Sequence, residues 1–148
     1  MQRNGRITYL NVMLGAVIIG VIAIFVLLLG SRSSPTSEAS KFLNALASAN
    51  TNELVQLSYF PGDSTEDLRK QWDFAVNDAG KYYVFTWMPT DEKFASDTQA
   101  TVKIKIVKNA DKYGSYGEDT SIPMIKRNGQ WLVDVRSLDK SIYPDLPH

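Results

Sequence analysis

The 148-residue chain has no cysteine and one histidine, His148, which is its last residue. The first absence removes disulfides, thiolate metal ligands and cysteine nucleophiles. The second removes an internal Ser–His pair and leaves no donor set for zinc or another transition metal. Net charge is also lacking, with 16 basic against 16 acidic side chains. Residues 33–148 hold 13 of those basic residues and all the acidic ones, a net charge of −3, which disfavours nucleic acid as a partner. No Asn-x-Ser/Thr sequon and no internal repeat occur. Nor is there a phosphate loop: Gly114 and Gly117 are not followed by a Lys-Ser/Thr pair opening a helix.

Charge is missing most conspicuously over Ile7–Ser31, a run of 25 residues without a single charged side chain. A bilayer core of about 30 Å needs roughly 20 apolar residues in a helix. The expectation is a signal-anchor helix over residues 10–30, after a short cytoplasmic segment, residues 1–9. Arg3 and Arg6 precede the run and Arg32 alone follows closely, which places the N-terminus inside. Leu28 stands where a signal-peptide cleavage site wants a small residue, so the anchor is read as uncleaved. Ala16 and Gly20 make a small-xxx-small pair, the candidate contact for another membrane helix. The expected location is the inner cell membrane, single-pass, with the C-terminal domain periplasmic or extracellular.

Residues 31–36 read as a polar linker, and residues 37–148 as the extracytoplasmic domain. Ser37 can cap a helix whose apolar stripe is Ala39, Phe42, Leu43, Leu46 and Ala47. Asn50-Thr51-Asn52 breaks it, and Glu53–Leu57 starts a second helix. After the turn Tyr59–Asp63, Ser64 and Asp67 form a capping box for a third helix. Leu68, Trp72, Ala75, Val76 and Ala79 are its stripe, and Gly80 its C-terminal stop.

Beyond Gly80 the apolar period changes from 3.6 to 2. Strands are expected at 81–88, 98–108, 120–127 and 130–136. Ala100, Val102, Ile104 and Ile106 share one face of the second, with Thr101, Lys103 and Lys105 on the other. Pro123 asks for an edge or a bulge. Asn128-Gly129 predicts a type I′ hairpin. The tail Ser137–His148 is expected to be irregular. The fold class is therefore α+β: an N-terminal transmembrane helix, then three helices packed on a curved antiparallel four-stranded sheet.

This order of elements resembles the nuclear-transport-factor-2-like (cystatin-like cone) superfamily, as a membrane-anchored bacterial member. Ala39–Leu46, Leu68-Arg69-Lys70-Gln71-Trp72 and the hairpin Ile125–Val133 carry the resemblance, which covers roughly residues 37–136. Enzymes of that superfamily use an Asp–His pair inside the cone, or a carboxylate with a buried Tyr. The first cannot be assembled here. For the second, Asp73, Asp134, Tyr59, Tyr82 and Tyr83 are the residues to weigh, yet Asp73 leaves its apolar stripe and Asp134 alternates with inward residues. Asp111, Glu118 and Asp119 flank a Gly-rich turn without the alternating oxygens of a calcium loop. Lys103, Lys105 and Lys108 read as a solvated stripe.

Tyr82–Met88 is apolar on both faces, which implies a pocket or a covered surface. Tyr59, Phe60, Tyr83, Phe85 and Trp87 are the candidate pocket or interface residues. No catalytic residue, cofactor or metal ligand is assigned. The expected function is a non-catalytic, membrane-anchored interaction or assembly module, an accessory subunit of a larger membrane complex or a homo-oligomer. The alternative is a pocket protein that binds, or weakly acts on, a small apolar ligand at the membrane surface.

Overall fold

A computed structural model describes residues 33–108 and 117–148. The anchor run, Ala16, Gly20 and Asp111 lie outside the described residues. Among the described residues no helix is long and apolar enough to cross a membrane.

Helix α1 spans Pro35–Ala47. Its cap is Ser34 rather than Ser37: the Ser34 hydroxyl accepts the Ser37 N–H at 3.1 Å, and Pro35 occupies the first turn, where a missing donor costs nothing. A second device holds this helix end. The Glu92 carboxylate accepts the Thr36 N–H at 2.9 Å and the Thr36 hydroxyl at 2.5 Å, so an anion sits on the positive end of the helix dipole. Ala39, Phe42, Leu43, Ala45 and Leu46 are each at most 1 % exposed, while Ala47, expected inward, faces solvent. The stripe continues through Glu38 instead. That carboxylate is buried and bonded to the Lys41 ammonium at 2.8 Å, one turn away.

Helix α2, Thr51–Leu57, starts two residues earlier than expected, because Asn50 caps it by accepting the Glu53 N–H. Helix α3, Thr65–Asp73, carries the expected capping box: Ser64 Oγ accepts the Asp67 N–H at 3.1 Å and donates to its carboxylate at 2.7 Å. It runs on as a wider π-helical turn over Phe74–Ala79. That turn leaves Phe74 outward and keeps Ala75 and Val76 buried beneath Trp72. Gly80 ends it with its N–H on the Ala75 carbonyl, 2.8 Å away and five residues back.

The sheet differs from the expected one in strand number, in strand direction and in the bounds of its strands. It has five strands, β1 Ser58–Tyr59, β2 Phe85–Ser96, β3 Gln99–Lys108, β4 Gly117–Arg127 and β5 Gln130–Asp134, in the order β1-β5-β4-β3-β2. It is also mixed, because β1 pairs in parallel with β5, Ser58 opposite Val133 and Tyr59 opposite Asp134. Two residues are too few to show a period, so β1 could not be read from alternation. β2 begins at Phe85, not Lys81, and continues eight residues past Met88. Tyr82–Val84 precede the strand in a turn, which removes the puzzle of a strand apolar on both faces. Phe85 and Trp87 turn inward beside Ile106 and its neighbours, while Thr86 and Met88 are exposed.

β4 starts at Gly117, three residues before the expected Thr120, and β5 ends at Asp134, with Val135–Ser137 in a 3-10 turn rather than in the strand. Ala100, Val102, Ile104 and Ile106 are buried, and Lys103 and Lys105 are exposed. Pro123 faces Thr101 of β3, while pairing with β5 begins only at Met124, so β4 has a free edge at its proline. Asn128 and Gly129 have φ of 49° and 82°, the two positive values that a type I′ turn requires.

The three helices cover one face of the sheet. Val102, Ile104, Ile122 and Val133 from the strands meet Phe42, Leu43, Leu54 and Trp72 from the helices, and all are fully enclosed. The tail beyond β5 is irregular, yet it is part of this core. Leu138, Ile142, Tyr143 and Leu146 are each at most 3 % exposed.

Candidate functional site

Four places could bind or react. The first is the inner layer between helices and sheet, where the fold would house a reaction. Among the described residues its titratable members are Glu38, which is neutralised by Lys41, and Tyr143. Asp73 and Asp134 lie elsewhere. Asp73 is exposed and accepts from the Asn77 amide at 2.8 Å, and Asp134, on the outer face of β5, accepts from the Ser137 hydroxyl at 2.7 Å. His148 is at the surface, its N–H on the Gln71 side-chain oxygen at 3.2 Å. Thus, among the described residues, no carboxylate–histidine or carboxylate–tyrosine pair is brought together in the layer.

The second place is the aromatic strip on β2. Tyr83, Phe85 and Trp87 follow one another at ring separations of 5.8 and 5.6 Å. The tail closes over them. The Tyr143 ring stands edge-on to Tyr83 at 5.2 Å and to Phe85 at 5.9 Å. The Tyr83 hydroxyl donates to the Ile142 carbonyl at 3.3 Å. The tail therefore covers this strip. Its anchoring residues were readable in principle: Leu138, Ile142, Tyr143 and Leu146 are the large apolar residues of an otherwise polar segment.

Tyr59 and Phe60 are not part of this strip. They belong to β1 and the turn after it, at the opposite edge of the sheet from β2. The Arg127 guanidinium lies 5.0 Å over the Tyr59 ring, and Arg136 lies 4.7 Å over Phe60. The five candidate pocket residues therefore form two separate groups.

The third place is an open depression of about 570 Å³ on the outer face of the sheet, lined by Met88, Asp91, Lys103, Lys105, Asp119 and Ser121 among others. The register sets Lys103 beside Asp91 and Ser121, and Lys105 beside Asp119. Two cations and two carboxylates cancel, so the depression carries no net formal charge. The third lysine of the stripe, Lys108, is paired with Glu118. Among the described residues no cluster of three His, Cys, Asp or Glu could hold a metal.

The fourth place went unrecognised in the sequence. Phe94, near the end of β2, is 60 % exposed although it lies on the inward side of its strand, opposite Ala100. It rests edge-on against Trp131 at 5.9 Å, and the Lys126 ammonium sits 5.5 Å over the same indole.

Burial gives Tyr143 a testable signature. Enclosure disfavours the phenolate and raises its pKa above the ordinary value of 10.0. The folded state therefore keeps the proton longer than the unfolded state does. Stability is full below about pH 10 and is lost as pH rises towards the folded value. Urea midpoints measured across that range should fall more steeply for the wild type than for Tyr143→Phe, which has no proton to lose.

No protein-family model matches the chain, and no curated protein matches it by sequence. Solved structures do match in fold. A protein named for the calcium/calmodulin-dependent protein kinase type II association domain, from Thiobacillus denitrificans, superposes with a TM-score of 0.51 at 9% identity, over 68% of this chain and 89% of that one. A SEC-C-motif-containing protein from Rhodopseudomonas palustris gives 0.50 at 15% identity, over 74% and 83%. A protein named as an NTF2-like transpeptidase, from Campylobacter jejuni, gives 0.49 at 14% identity, over 68% and 97%. At these identities the likeness concerns the fold alone, helices packed on a mixed five-stranded sheet.

Proposed function

We propose that this chain is a non-catalytic interaction or assembly module, held at the inner membrane by one uncleaved span over residues 10–30. Its N-terminus is cytoplasmic and its domain lies in the periplasm or outside the cell. It serves as an accessory subunit of a larger membrane complex, or as a homo-oligomer.

The observation that carries this reading is the use of the inner layer. Side chains that could take a substrate are packed against one another and against the chain's own tail. The charged group enclosed there, Glu38, is spent on a helix ion pair. The 25-residue uncharged run and its arginine asymmetry support the anchor. A tether confines the domain to one surface and raises its effective concentration near membrane partners, from which an enzyme for a diffusible substrate gains little.

A periplasmic reporter fused after His148 should be active, and a cytoplasmic one silent. Pull-down of the intact protein in mild detergent should recover membrane proteins in fixed ratio. An exported domain without Met1–Gly30 should fold yet fail to restore function. The aromatic strip supports the second reading, an apolar-ligand protein, provided the tail can leave Tyr83 and Phe85. Full rescue by the untethered domain, or recovery of a small molecule in place of protein partners, would favour that reading.

A further inference from the structure

One end of the sheet gathers features that the assembly role does not use. The β2–β3 and β4–β5 hairpin tips lie side by side there, joined by the Lys126 N–H to the Thr98 carbonyl at 2.8 Å. Phe94 projects from the first tip and Trp131 supports it from the second. Residues 93–99 and 126–130 carry three cations, Lys93, Lys126 and Arg127, against one carboxylate, Asp97. This local excess of positive charge stands out on a domain whose net charge is −3.

The same end lies close to the start of α1. Glu92, two residues before Phe94, holds Thr36 through both of its donors. At the rise of a strand, two residues advance about 7 Å. Only residues 31–34 separate the apolar run from Pro35, and four residues reach at most about 14 Å even fully extended.

We propose that this end of the sheet is a membrane-contact surface: Phe94 enters the interfacial layer of the bilayer, and Lys93 and Lys126 face anionic phospholipid headgroups. The inference rests on the anchored reading above. An aromatic ring gains by leaving water for the interfacial layer, and lysines beside it gain from the negative surface potential. The Trp131 ring backs Phe94 and keeps it standing outward. Arg127 is turned to the Tyr59 ring and hydroxyl, whereas Lys93 is exposed and Lys126 lies over the Trp131 ring that supports Phe94.

The absence of cysteine makes the test direct. Single spin labels are placed through Ala95→Cys beside Phe94, Tyr82→Cys away from that end, and Ile19→Cys inside the apolar run. The full chain is reconstituted in bilayers of phosphatidylethanolamine and phosphatidylglycerol. Collisions with an aqueous nickel chelate and with dissolved oxygen are then measured. The label at 19 should be open to oxygen and closed to nickel. The label at 95 should collide with nickel several-fold less than that at 82. Phe94→Ala, or replacing phosphatidylglycerol by phosphatidylcholine, should restore its nickel collisions. If the label at 19 is lipid-buried but that at 95 is as wet as that at 82, the contact surface is refuted and the anchor stands. A nickel-accessible label at 19 defeats the anchor and this surface together. Dipolar broadening between labels at 95 would assign the surface to a second copy, which also overturns the lipid contact.

Discussion

Trp72→Ala should destabilise the domain by about 3–5 kcal/mol, and Trp131→Ala by less. Trp72 is fully enclosed and packs edge-on against Phe42 at 5.6 Å. Its indole N–H donates to the Ser58 hydroxyl at 3.0 Å, which joins α3 to the short strand β1. Truncation therefore opens a cavity where neighbours from two helices and a strand cannot collapse together. It also removes the side-chain tie between α3 and β1. Trp131 lies at the end of the sheet against the exposed Phe94, where water can fill the space left behind. Trp72→Phe should lie between wild type and Trp72→Ala, since the ring volume is mostly kept and the hydrogen bond lost. A native domain is stable by about 5–15 kcal/mol, so the alanine variant should lose a large share of its urea resistance. Equal midpoints for the two alanine variants would mean that the two sites do not differ in how far they are enclosed.

Periodicity carried most of the fold. The α1 stripe, the capping box at Ser64, the alternation along β3 and the Asn128-Gly129 hairpin were legible because each is a local pattern in which neighbours repeat the signal. The reading failed where the cause was non-local. The first cap is at Ser34, and the same helix end takes a second hold from Glu92, 56 residues away, which no local pattern announces. β1 is a strand only through its pairing with β5. The extension of β2 past Met88 depends on a register irregularity between Pro89 and Asp91 that lets the strand continue beyond its proline. At the candidate site, the aromatic residues of 82–88 were visible in the sequence. Their division between a turn and a strand, and their separation from Tyr59 and Phe60 by the width of the sheet, were not. The tail was expected to be irregular and is so; its contribution to the core arises from four side chains and not from any regular backbone.

That contribution gives Gly80 its role, and the expected result is a destabilisation of about 1–3 kcal/mol for Gly80→Ala. The helix-stop reading would assign the glycine to a left-handed backbone, but its φ is −93°, open to any residue. The constraint is steric. A methyl group at position 80 would stand 2.3 Å from the Tyr143 hydroxyl oxygen and 2.5 Å from its ring carbons. Tyr143 cannot easily yield, because Tyr83 and Phe85 hold its ring from the other side. The two positions must therefore couple. Tyr143→Ala in the wild type loses a buried aromatic and should be costly. In the Gly80→Ala background the same change also relieves a clash and should cost markedly less. A double-mutant cycle by urea denaturation measures the difference directly. If the two losses simply add, the tail does not rest on Gly80 and the aromatic strip of β2 is not closed by Tyr143. Non-additivity would fix the tail in place, and it would tie the end of α3, the aromatic strip and the last residues of the chain into one cooperative unit.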